Sequence, residues 1–301
     1  DTLTRYRRVL GDDHSATLTS ATNLAGDLRA LGEHQQAREL DEDTLTRYRR
    51  VLGDDHSATL RSATNLAGDL RALGEHQHAR ELHEDTLSRY RRVLGDHPDT
   101  LASANNLAAG LRALGEHEQA RELDEDTLTR RRRVLGDDHP DTLLSANNLA
   151  ADLRALGEHQ QARELHEDTL TRYRRVLRDD HPATLTSANN LANSLSALGE
   201  HQQARELHED TLTRRRRVLG EDHLSTLRSA NNLAGDLSAL GEHQQARELD
   251  EDTLTRYRRV LGEDHPSTLL SATNLAADLR ALGEREQARE LEEWIKPHDR
   301  S

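Results

Sequence analysis

A string of 42 residues, DTLTRYRRVLGDDHSATLTSATNLAGDLRALGEHQQARELDE from Asp1, returns with light edits from Asp43, Asp85, Asp126, Asp168, Asp210 and Asp252. Only the third copy is shorter, by one Asp in the loop before His97. A fixed period of this length means one supersecondary unit used repeatedly, each unit touching its neighbours in the chain. The seven units form a single array over 1–301, with 294–301 as a C-terminal cap and tail.

Two glycine positions punctuate each unit. One is the LGE turn, as at Gly32 and Gly157; the other is the VLG turn, as at Gly53 and Gly136. Both suit the residue after a helix end, where a left-handed backbone costs glycine nothing. Arg178 replaces one VLG glycine, a strain of about 1 kcal/mol. Pro98, Pro140, Pro182 and Pro266 follow the VLG turn, at the first position of a helix.

Each unit therefore holds two helices, A (for example about 140–156) and B (about 159–177). On A, Leu143, Ala146, Leu149, Ala150, Leu153 and Leu156 recur at three- and four-residue steps; on B the stripe is Ala162, Leu165, Thr169, Leu170, Tyr173, Val176 and Leu177. Short connections force the helices antiparallel, and a single hairpin cannot bury its own stripe. The units must stack. With no Phe, no Met and one Trp, Leu and Ala do the packing. The fold class that follows is all-α, an α-solenoid of antiparallel helix hairpins.

The arrangement resembles the tetratricopeptide repeat, and the 42-residue form with NNLA, LGEHQQA and VLGDDHPDTL resembles the repeats of kinesin light chains and their bacterial relatives. The resemblance implies a right-handed superhelix, close A/B crossings at Ala150 and Ala162, and a concave A-helix groove that takes an extended peptide. The aromatics usual in the shorter repeat are replaced by Leu153 and by His166 or its Asp counterparts.

The A face opposite the apolar stripe carries Leu144, Asn147, Asn148, Ala151 and Arg154. Asn23, Asn65, Asn106, Asn148, Asn190, Asn232 and Asn274 recur in every unit. An amide donates and accepts, so such a column suits the backbone of an extended chain; it suits bridging between helices equally. Beside it stand Arg29, Arg71, Arg112, Arg154 and Arg280, with Ser196 and Ser238 elsewhere in the column. Guanidinium forks favour acidic segments, while Asp27, Asp69, Asp152, Asp236 and Asp278 lie placed to pair with them across repeats. These columns, with Asn147, Asn189 and Asn193, are the expected partner-binding residues. The Lys/Asn clamp of chaperone-binding relatives is not supported, because its positions hold Thr or Asn.

A net charge of −14 opposes binding to nucleic acid or anionic membranes. There is no cysteine, no apolar run near 18 residues and no signal peptide at the start; a cytoplasmic setting is expected. The runs Arg130–Arg133 and Arg214–Arg217 read as solvated faces paired within their own helices, as Asp43 with Arg47 and Asp168 with Arg172. Most of the 18 histidines fall once per turn, too far apart to converge on a metal, and His76, His78 and His83 read as a chance cluster. No catalytic constellation recurs, and neither metal nor cofactor is expected.

The last unit departs from the pattern, with Arg285 in place of the turn His and Trp294-Ile295-Lys296-Pro297 in place of TLTR. Trp294 and Ile295 are expected to cover the end of the stack, and Pro297 to stop its helix. The sequence begins midway through a helical pattern, as a fragment of a longer protein would. The expected function is a non-catalytic scaffold binding a protein or peptide in the groove. Alternatives are the C-terminal sensor arm of a larger signalling protein such as a STAND-type NTPase, or a module that self-associates through its N-terminal end into a homo-oligomer.

Overall fold

The structure, a computed structural model, describes residues 2–298, with side chains to residue 296. The tail 299–301 lies outside the described residues. Residues 1–152 and 153–301 form two compact units. In the first run α1 (Thr2–Leu10), α2 (Ser15–Ala30), α3 (His34–Leu52), α4 (Ser57–Ala72), α5 (His76–Leu94), α6 (Pro98–Ala113), α7 (His117–Leu135) and most of α8 (Pro140–Ala155). The second holds α9 (His159–Leu177), α10 (Pro182–Ala197), α11 (His201–Leu219), α12 (Leu224–Ala239), α13 (His243–Leu261), α14 (Pro266–Ala281) and α15 (Arg285–His298). Every described element is a helix, so the chain is all-α.

Even-numbered helices are A and odd-numbered ones B. A helices end in a Schellman turn: Gly32 N–H donates to Arg29 C=O and Glu33 N–H to Leu28 C=O, with Gly32 at φ 80°. Their starts carry a device the sequence reading missed. The histidine ahead of each A helix is its N-cap, His14 Nδ1 accepting from Ala16 N–H at 3.2 Å and His139 Nδ1 from Asp141 N–H at 3.2 Å. Imidazole is not an ordinary capping group. The VLG glycines hold φ near 88°, and Arg178 holds the same conformation at φ 69° and ψ 172°, as the only non-glycine with positive φ among the described residues. In the shortened third loop Gly95 turns to φ 58°, ψ −126°. This change of ψ absorbs the missing Asp.

Each core cluster draws on three consecutive helices. Leu45 of α3, Ala63, Leu66 and Leu70 of α4, and Ala79 of α5 form one; Leu212 of α11, Ala230, Leu233, Ala234 and Leu237 of α12, and Ala246 of α13 form another. Each fully buried Leu contributes about 1.5–3 kcal/mol, and these contacts exist only because neighbouring copies touch. Ala108, Ala120, Ala192 and Ala204 are wholly buried, where small side chains let helices approach closely. The B stripe is narrower than its sequence pattern: Val176 is 40% exposed, as are its counterparts to a similar degree. At the C-terminal end Trp294 and Ile295 pack on Leu254, Leu275 and Leu279, and the Arg258 guanidinium lies 4.1 Å from the Trp294 ring centroid. Pro297 lies within this helix, which includes His298, the last described residue.

Candidate partner groove and the polar nodes beneath it

Neighbouring A helices approach one another directly, α4 with α6 in the first unit and α10 with α12 and α12 with α14 in the second. Within each unit the A face is thus the inner one. It carries Asn65, Asn106 and Asn148 in the first unit and Asn190, Asn232 and Asn274 in the second, all half-buried, while Asn23 is exposed. Asn232 Nδ2 donates to Asn193 Oδ1 at 3.0 Å and to Asn189 Oδ1 at 3.4 Å, an amide bridge between α10 and α12. Among the described residues the other six amides of the column make no hydrogen bond within the chain. Asn147 and Asn189 are buried at 6% and 3% exposure, and Asn189 accepts from Ser229 Oγ at 3.0 Å. They belong to the packing beneath the face rather than to its surface.

In the first unit a cavity of about 250 Å³ opens on this face between α4 and α6. Arg61, Thr64, Asp99, Ala102 and Asn106 line it, with Tyr90 of α5 as its floor. Burial, with the Asp99 carboxylate nearby, raises the Tyr90 phenol, against the pull of Arg61.

The arginine column divides. Arg29 Nη1 lies 2.6 Å from Asp41 Oδ2 and 3.0 Å from Asp69 Oδ2, and Arg112 Nη1 lies 2.6 Å from Asp124 and 3.0 Å from Asp152. These pairs across repeats, foreshadowed by the Asp column, commit both arginines to the scaffold. Arg280 pairs with Glu292 at 2.6 Å. Arg71 and Arg154 are exposed and carry no ion pair among the described residues, and the same holds for Arg61 and Arg228 nearer the N-terminal ends of their A helices.

Beneath the column, each junction between copies holds a small polar node where the shorter repeat has an aromatic. In the Arg29 and Arg112 nodes burial outweighs the arginine and pushes Asp41 up to about 6 and Asp124 up to about 7. His83 occupies the same position in the next copy, 2% exposed, and burial followed by the nearby Arg71 charge depresses it to about 4. It is thus part of a node, while His78 lies on the surface against Glu75. His166 Nδ1 meets Ser194 Oγ at 2.9 Å, and His208 Nδ1 meets Asp236 Oδ2 at 2.7 Å.

The arginine runs differ from the solvated faces expected of them. Arg130 does pair with Asp126 four residues back, at 2.8 Å, and also with Asp96 of the preceding loop at 2.6 Å; Arg133 joins it on Asp96. Asp55 and Asp180 likewise each take two arginines of the following B helix. Arg131 and Arg215, however, are 4% and 1% exposed, at the position that holds Tyr48, Tyr90, Tyr173 and Tyr257 elsewhere. Arg215 donates to Ser225 C=O (2.8 Å), Ser229 Oγ (2.7 Å), Leu185 C=O (3.2 Å) and Thr186 Oγ1 (3.3 Å). Neutral acceptors alone surround it, so burial, with Arg228 close by, lowers it to about 10.

A tetratricopeptide-repeat profile matches 1–50, 17–92, 61–131, 99–175, 143–217, 183–258 and 229–295. The chain belongs to the tetratricopeptide repeat family, a class of protein–protein interaction scaffold. Its repeats are of the kinesin-light-chain kind. A structure of nearly identical repeats from a Podosopora anserina putative kinesin light chain is 33% identical, covers 66% of this chain and 95% of its own, and superposes with a TM-score of 0.60. BtubC (BKLC) from P. vanneervenii is 20% identical over 83% of this chain and 92% of its own, with a TM-score of 0.58, and shares the fold. A STAND protein with a tetratricopeptide repeat sensor from Pyrococcus horikoshii is 12% identical over 97% of this chain and 43% of its own, at 0.66; at that identity it shares the fold alone. No curated protein matches the sequence closely enough to count as a relative. No described helix is long and apolar enough to cross a membrane.

Proposed function

We propose that this chain is a non-catalytic scaffold whose A-helix face binds an extended segment of a protein partner. The observation that carries the reading is the column of amides, half-buried at Asn65, Asn106, Asn148, Asn190 and Asn274 and exposed at Asn23, which recur once per copy and make no hydrogen bond among the described residues. A polar group that is half-buried and unpaired is a ready contact for a peptide backbone. Arg61, Arg71, Arg154 and Arg228, unpaired on the same helices, favour a segment with acidic side chains. In the second unit Leu224, one turn before Arg228 on α12, and Leu270 on α14 are both exposed and suit aliphatic residues beside the acid.

Partner capture with the full chain as bait tests this. Replacing Asn106, Asn148 and Asn190 together by Ala is expected to lower recovery of the captured protein at least tenfold, with helicity and thermal unfolding unchanged. Equal recovery would move the contact to another face. The sensor-arm reading draws support from the description of the STAND relative, and a nucleotide-binding motif in the upstream reading frame would favour it.

A further inference from the structure

The node between α12, α13 and α14 differs from its carboxylate-pair counterparts in one respect: it has two carboxylates and no arginine. Asp250 of α13 is 0% exposed and Asp278 of α14 is 2% exposed. Where the Asp41–Asp69 and Asp124–Asp152 pairs have Arg29 and Arg112, this node has Ser238. Ser238 Oγ donates to Asp278 Oδ1 at 2.6 Å, and His243 Nδ1 lies 3.0 Å from the same oxygen. Asp278 is thus provided for. Asp250 is not: both its oxygens are buried without a hydrogen-bond partner.

An ionised carboxylate cannot persist in such a place, because burial removes its water and nothing replaces it. The charged and titratable groups at the node are Asp278 from α14, whose charge repels a second anion, and His243 from α13 itself, which lies against Asp278; α12 supplies only Ser238. Asp236, the one carboxylate of α12, is held by Ser196 and His208 in the preceding node.

We propose that Asp250 is a proton-binding site that gates the stack: the α13–α14 contact is closed while Asp250 carries a proton and loosens when the proton leaves. Burial first, and the Asp278 charge second, push Asp250 up to about 8, so the proton is lost within a mildly alkaline range. The sign follows from linkage. A carboxyl held protonated when closed and ionised when open favours the closed state below its ordinary pKa near 4, and that preference is lost as pH rises to about 8. Since α14 presents Leu270 and Asn274 on the inner face, loosening it alters the proposed groove as well; the gate itself does not depend on that function.

Hydrogen exchange of the full chain between pH 6 and 9, expressed as protection factors so that intrinsic base catalysis cancels, tests the gate. The opening constant of α14 is expected to rise about tenfold per pH unit to pH 8, as release of one proton requires, and then to level off. The α4 amides, over the arginine-containing Asp41–Asp69 node, serve as the reference and should change little above pH 7. Asp250→Asn, which copies the protonated carboxyl, should flatten the α14 profile, and Ser238→Arg, which restores the cation of the other nodes, should flatten it too. A wild-type α14 profile as flat as that of α4, or a slope retained in Asp250→Asn, would overturn the proposal. If Ser238→Arg does not fold, the Asp250→Asn comparison decides alone.

Discussion

Replacing Arg112 by alanine is expected to destabilise the first unit by about 3–5 kcal/mol at neutral pH, the cost of leaving buried carboxylates without their cation. Arg112 touches both Asp124 and Asp152, whose side chains are 0% exposed, and Asp124 Oδ1 already lacks a partner. The penalty should shrink as pH falls through about 7, where Asp124 takes up a proton, and Asp124→Asn with Asp152→Asn should recover most of it. Arg71→Ala is the matched control. Arg71 occupies the same column, but its node holds His83 and Gly110 in place of carboxylates, and its loss should change stability by no more than about 0.5 kcal/mol. Urea unfolding fitted with nearest-neighbour coupling between repeats reads both numbers. A cost near that of Arg71→Ala would mean that the node is hydrated.

Leu212→Ala should cost the second unit about 2–5 kcal/mol, the range for emptying a core position that cannot collapse. Leu212 is 3% exposed and packs with α12 and α13 residues, several of them alanines with no freedom to fill the space. Val218, six residues on along the same helix, is 43% exposed, and Val218→Ala should fall within about 0.5 kcal/mol. The contrast, read by the same urea series, tests whether stability resides in contacts between copies. Equal effects at the two positions would contradict that.

The helices were legible because three independent signals agree on their ends: the glycine turns, the N1 prolines and the apolar stripes. Helices α8 and α9 lie within a residue of their expected bounds. The end of the stack was legible for a similar reason, since Trp294 and Ile295 break a pattern that six copies keep. The interior polar chemistry was not. A run of four arginines looks solvated, and nothing in its own spacing singles out Arg131 or Arg215. The available signal was columnar, an arginine where other copies have tyrosine. The column of His and Asp at 41, 83, 124, 166, 208 and 250 was likewise readable as a set of alternating nodes only when taken together with the arginine and aspartate columns of the neighbouring A helices. Periodicity gives the face of a residue; it does not give the partner forty residues away.

The expected groove residues fared unevenly for the same reason. Arg29 and Arg112 are occupied by carboxylates from their own and the next copy, Asn147 and Asn189 are beneath the surface, and Asn193 and Asn232 bind each other. What remains open to another molecule is the amide column outside Asn232, with Arg71 and Arg154. The outcome is physical rather than statistical. Arg29, Arg112 and Asn232 face a neighbouring copy and find partners there, while Arg71 and Arg154 face outward and carry none among the described residues.

The most direct test of the scaffold reading is site-specific photo-crosslinking in the full chain, with a short-reach diazirine residue placed in turn at Asn190 on α10 and at Val218 on α11. Capture of the same partner from Asn190 and not from Val218, with the crosslinked partner peptide a single short segment, is the predicted result. Crosslinks formed equally from both positions, or from Val218 alone, would contradict binding at the A-helix face.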